Sequence, residues 1–85
     1  MEELKLEPSA ALSDLEVRIL DFERQWWRYA GAKESGIKEL FNFSSREYYE
    51  LLNNLIDRED ALVASPLLVK RLRRLREARL QKRIN

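Results

Sequence analysis

Apolar residues recur at helical spacing along most of this chain, and no stretch alternates as a half-buried strand would. Leu15, Ile19, Phe22, Trp26 and Tyr29 advance in steps of four, three, four and three, which is one stripe of a helix. Ser13 and Glu16 open that helix at the spacing of a capping box, where each side chain satisfies a backbone donor the helix leaves unpaired. Gly31 breaks it, and a shorter helix is predicted through Lys33, Ile37, Leu40 and Phe41. Asn42-Phe43-Ser44 reads as a turn. Asn tolerates the left-handed backbone that ends a helix, and Ser44 with Glu47 repeats the capping-box spacing.

The third helix carries Tyr48, Leu51, Leu52, Leu55 and Ile56 on one side and Arg46, Glu50, Asn53 and Asp57 on the other. A short helical turn over 59–64 ends at Ser65. Ser65-Pro66 then supplies an N-cap and a first-turn proline for a last helix, with Leu68, Leu72 and Leu75 as its stripe. The stripe lapses at Arg79, so beyond about Arg76 the helix is expected to leave the core. The predicted fold is all-α, a small helical bundle. Residues 1–12, with Pro8 and no sustained period, read as a frayed leader. Residues 13–76 read as the helical domain and 77–85 as a basic extension of the last helix.

With 85 residues and 10.2 kDa the chain has room for one domain and a thin core. It has no cysteine and no histidine, which excludes disulfides, thiolate or imidazole metal sites, and any catalytic dyad or triad that needs them. The carboxylates fall on solvent faces, and Gly31 and Gly36 are the only glycines, too few for a loop that cradles phosphate. No catalytic residue, metal site or cofactor is therefore expected, and the chain does not read as an enzyme. No apolar run nears the ~20 residues that span a bilayer, and the acidic start at Met1-Glu2-Glu3 is unlike a signal peptide. The expected address is cytoplasmic, without a membrane partner.

Charge changes the picture once the chain is divided. Residues 1–69 hold eight Lys and Arg against fourteen Asp and Glu, a net −6; residues 70–85 hold eight against Glu77 alone, a net +7. An acidic body with a cationic arm points to a polyanionic partner. Lys33 to Asp57 meanwhile has the helix-turn-helix pattern, a short helix, a tight turn and a second capped helix. Ile37 and Phe41 anchor the first helix, Phe43 plugs the turn, and Tyr48 and Leu51 hold the second. Asn42 stands where Gly is usual, and Lys38 where a small residue is usual, so the Lys38 ammonium must reach solvent.

The outer face of that second helix sets Arg46 against Glu47, Glu50 and Asp57, so alone it would be repelled by DNA. Binding would fall to Lys70, Arg71, Arg73, Arg74, Arg76, Arg79, Lys82 and Arg83, with Lys33 and Lys38 (and Arg28) near the start of the motif adding to the phosphate-contacting surface. Contact by about five of these predicts a log–log salt slope of roughly −4 to −5. Ser45, Arg46, Tyr49 and Asn53 are the groove candidates. Arg46 has the donors for guanine and Asn53 the pair for adenine; Glu50, which could accept from cytosine, reads better as a solvated residue, and weak sequence preference follows. Tyr49 flanks the apolar face, where a half-buried packing role competes with a sugar-phosphate contact. Trp26 belongs to the core stripe. Trp27 points about 100° away, on the side of Leu20, and is also expected to pack, with the last helix, a second subunit or a ligand as what it would meet. Gly36, which costs ~1 kcal/mol relative to Ala in a helix, suggests close approach by another backbone.

The run Phe22-Glu23-Arg24-Gln25-Trp26-Trp27-Arg28-Tyr29-Ala30-Gly31-Ala32-Lys33-Glu34 resembles a family of small actinobacterial proteins catalogued as a domain of unknown function. Tyr48-Tyr49, Leu52-Asn53, Leu55-Ile56-Asp57-Arg58 and the stretch from Pro66 to Arg76 resemble it too, so the likeness runs from about Leu15 to Arg76. The resemblance implies a helix-turn-helix-like fold and DNA binding of the nucleoid-associated kind attributed to a member. The family has no agreed base-contacting residues, and its usual turn glycine is here Asn42. The expectation is a non-enzymatic protein that binds double-stranded DNA at the nucleoid, architectural or regulatory, and the small footprint of one recognition helix leaves room for a homodimer. Two rivals stand beside it. One is a protein-interaction adaptor, for example of the transcription machinery, using Glu47, Glu50, Asp57, Glu59 and Asp60; the other is ribosome or RNA association through the arm alone.

Overall fold

Ser13 and Ser44 both act as the N-caps their spacing predicts. Each hydroxyl accepts from the backbone N–H three residues on, and Glu16 and Glu47 accept in return from the cap residue's own N–H. These boxes open two of the five α-helices in the computed structural model, which describes residues 12–28 and 31–84, with side chains as far as residue 81. The helices are α1 (Asp14–Gln25), α2 (Lys33–Phe41), α3 (Ser45–Ile56), α4 (Glu59–Ala64) and α5 (Pro66–Ile84), and a 3-10 turn at Trp26–Arg28 extends α1. Among the described residues there is no strand, so the protein is a small all-α bundle. The leader expected over 1–12 lies almost wholly outside the described residues, as do Tyr29 and the side chains of Lys82 and Arg83.

The core draws from every helix. Ile19, Leu20 and Phe22 of α1, Ile37 of α2, Tyr48, Leu52, Leu55 and Ile56 of α3, Ala61 of α4, and Leu68 and Val69 of α5 are buried. Burial of each large aliphatic side chain stabilises by about 1.5–3 kcal/mol. Rings tie α1, α2 and α3 together. Phe22 meets Phe41 and Tyr48 edge-on at centroid distances of 5.7 and 5.8 Å, and Phe43 stacks on Phe41 at 6.0 Å, which seats the turn between α2 and α3. That turn pivots on Asn42, which adopts φ 59 and ψ 34 and donates its N–H to the Lys38 carbonyl at 2.9 Å.

Four sequence expectations are corrected. The α-helix stops at Gln25 and tightens, so Trp27 turns outward and is 58% exposed instead of packed. Leu51 is exposed because the core lies toward Leu52, Leu55 and Ile56. Leu75 is half exposed, since Leu68, Val69 and Leu72 are the positions by which α5 meets the bundle. Gly36 is close-packed against a ring, not a backbone: a Cβ there would lie 3.0 Å from Cε1 of Phe22.

Candidate functional site

Beneath the surface where α1, α2 and α3 meet lies a buried carboxylate, which corrects the expectation that the carboxylates all fall on solvent faces. Glu23 is 2% exposed, accepts from the Tyr48 hydroxyl at 2.5 Å, and pairs with the Lys33 ammonium at 3.0 Å. Lys33 Nζ also stands over the rings of Trp26 and Tyr49, at 5.5 and 5.1 Å from their centroids. Lys33, expected to hold phosphate, is thus committed to the interior, where one carboxylate, one phenol and one ammonium fasten three helices to each other. Burial, and then the charge of Glu23, push the Tyr48 phenol far above its ordinary value.

The cations of α5 divide into two groups. Arg73 donates from Nε to the Ile56 carbonyl at 2.6 Å, and Arg76 donates to the Asn53 carbonyl at 3.3 Å and to the Asp57 carboxylate at 2.7 Å. Both satisfy carbonyls at the C-terminal end of α3, where the helix leaves acceptors unpaired and its dipole favours positive charge. The Arg76 hydrogen bond in turn holds the Asp57 carboxyl below its ordinary value. These two arginines therefore dock α5 on α3. Lys70, Arg71, Arg74 and Arg79 are exposed, and none has a hydrogen bond or ion pair among the described residues. At 100° per residue, Lys70, Arg71 and Arg74 centre on the face opposite Val69, Arg73 and Arg76, which points away from the bundle.

Two concavities flank this face. One is an open hollow of ≈ 410 Å³ lined by Lys70, Arg71, Arg74, Leu67, Leu68 and Arg24, with no carboxylate among its lining residues. Arg24 was not singled out from the sequence; it comes from the last turn of α1 and is held at the mouth by Asp21 and by Ser65, to which it donates at 2.7 and 2.6 Å. The other is a cleft of ≈ 370 Å³ between the end of α1, α3 and α5. Tyr49 and Asn53, two of the groove candidates, line it together with Lys33, Arg71, Arg76 and Arg79.

The remaining candidates lie elsewhere. Lys38, Ser45 and Arg46 are exposed on α2 and the start of α3, line neither concavity, and Arg46 is drawn to Glu50 at 3.5 Å. The structure thus gathers Arg71, Arg76 and Arg79 of α5 with Tyr49 and Asn53, and leaves Ser45 and Arg46 apart from them. Among the described residues no three or more metal-ligating side chains cluster, and no helix is long and apolar enough to cross a membrane.

No curated protein and no solved structure matches this chain. A family model does match, over residues 11–84, a span that takes in α1, the 3-10 turn with both tryptophans, the α2–α3 pair and the cationic α5. Across nearly its whole length, then, the chain belongs to the family DUF3263, described as a protein of unknown function.

Proposed function

We propose that this chain is a non-enzymatic protein that binds double-stranded DNA, nucleoid-associated or transcription-regulatory, of the actinobacterial kind that its run from residue 22 to residue 34 resembles. It would act in the cytoplasm, at the nucleoid. The observation that carries the reading is the outward face of α5. Lys70, Arg71 and Arg74 are exposed side by side, unpaired among the described residues, over a hollow without a carboxylate. Unneutralised cations in a row are what a phosphate backbone recognises, because binding there releases condensed counterions.

In this reading α5 supplies the grip, and α2, the Asn42 turn and α3 form the helix-turn-helix unit that orients it. Arg73 and Arg76 act from within, by fixing α5 to α3. The four free cations on described side chains of α5 (Lys70, Arg71, Arg74 and Arg79) give a log–log salt slope of roughly −3 to −4, less steep than the full arm would give. Sequence preference is weak, since the outward face of α3 offers Arg46 already engaged by Glu50. The adaptor reading draws less support: Asp57, Asp60 and Glu50 are each met by an arginine, which leaves little of the acidic face free.

Charge reversal tests the proposal. Lys70→Glu/Arg74→Glu leaves the core untouched, as both residues are exposed. The variant keeps the far-UV circular dichroism of the parent and loses binding to duplex DNA by gel shift. Equal binding by parent and variant, or no binding by the parent at low salt, overturns it.

A further inference from the structure

Trp27 is out of place for an apolar side chain. More than half its surface meets solvent, and its ring forms part of the ≈ 370 Å³ cleft, edge-on to Trp26 with planes 76° apart. Leu72 and Leu75 of α5 supply further apolar lining, and Leu75 is itself half exposed. Arg71 and Arg79 also line the cleft and have no partner among the described residues. The one carboxylate in the lining, Glu23, is already engaged by Tyr48 and Lys33. A volume of this size lies within the range of small-molecule sites, about 300–1,000 Å³.

Such a lining suits a ligand with flat apolar faces and an anionic end. The bases of duplex DNA have both faces covered by their neighbours and cannot present one to Trp27. An unpaired base brings a bare ring and a phosphate together. We propose that the cleft binds single-stranded DNA, an unpaired base stacking on Trp27 while Arg71 and Arg79 hold its phosphate. The proposal rests on the reading above for the kind of polymer bound, and it adds a second site that shares Arg71, which lines both the cleft and the hollow of Lys70 and Arg74.

The test uses the full chain, a labelled single-stranded oligothymidylate and a labelled duplex, with anisotropy and tryptophan fluorescence as readouts. The single strand quenches tryptophan emission. Trp27→Ala weakens single-strand binding about tenfold, the loss expected for one stacked base, and leaves duplex binding unchanged; Trp27→Phe retains most of the affinity. Circular dichroism identical to the parent shows that the exposed substitution has not disturbed the fold. Single-strand binding by Trp27→Ala equal to the parent's, an equal loss on both DNA forms, or quenching by polyglutamate as strong as by DNA overturns the proposal. A parent that binds single strands through Trp27 but no duplex overturns the preceding reading and upholds this one.

Discussion

Replacing Tyr48 by Phe removes a single oxygen from the interior, and the structure says what that oxygen does. Tyr48 is fully buried, and its hydroxyl donates to a Glu23 carboxylate that is itself 2% exposed. Without the donor, one oxygen of a buried anion loses its neutral partner, and the remaining compensation is Lys33. A hydrogen bond to a charged group contributes about 1.5–3 kcal/mol, so Tyr48→Phe costs about 2 kcal/mol. Lys33→Met costs more, about 3–5 kcal/mol, because it leaves the buried carboxylate with the Tyr48 hydroxyl and without its counter-charge. Against the roughly 4–13 kcal/mol that stabilises a domain of this size, that loss approaches unfolding. Replacing all three at once (Glu23→Leu, Lys33→Met and Tyr48→Phe) removes the anion along with its partners and restores most of the stability. Urea titrations followed by circular dichroism measure each step. A Tyr48→Phe protein within about 0.5 kcal/mol of the parent, or a triple variant no more stable than Lys33→Met, refutes the assignment of Glu23 as a charged, buried clasp.

Other outcomes follow from the same contacts. Because the Tyr48 phenol lies far above its ordinary value of 10.0, the unfolded chain loses that proton near pH 10 while the folded chain keeps it. The stabilisation is whole below that pH and is lost as pH rises beyond it, so urea midpoints fall more steeply above about pH 10 for the parent than for Tyr48→Phe. Glu16 has the opposite sign: the Ser13 backbone N–H and then Arg58 hold its carboxyl below its ordinary 4.5, so its contribution is whole above that value and lost as pH falls through the depressed one. Glu16→Gln therefore flattens the acid limb of stability against pH. Gly36→Ala gains about 1 kcal/mol of helix propensity. It also sets a Cβ 3.0 Å from the Phe22 ring, which Phe41 and Tyr48 already confine. The net result is a loss of about 1 kcal/mol in thermal melts, and a gain shows that the ring yields.

What the sequence disclosed and what it concealed divide by range. The two capping boxes and the Asn42 turn depend on residues within four positions of one another, and all appear where their spacing places them. The exposure of Trp27 escapes the sequence pattern because one turn of 3-10 geometry after α1 runs out of phase with the stripe before it. The helical period of Leu51 and Leu75 is genuine, but each sits at the margin of a core too small to cover it. Glu23 was invisible for another reason. In its own helix it is one more acidic residue, and what buries it comes from Lys33 and from Tyr48, 25 residues away. The dense arm hid a similar division of labour: Arg73 and Arg76 read like their neighbours until α3 supplies the carbonyls and Asp57 that claim them.

The central claim is that α5 grips phosphate with the cations that packing leaves free. The most direct measurement is duplex affinity by anisotropy across a salt series, for the parent and for Lys70→Ala/Arg71→Ala/Arg74→Ala. Each lost phosphate contact removes about 0.9 from the log–log slope, so the triple variant is shallower by about 2.7. An unchanged slope, or a parent whose affinity does not depend on salt, contradicts the account.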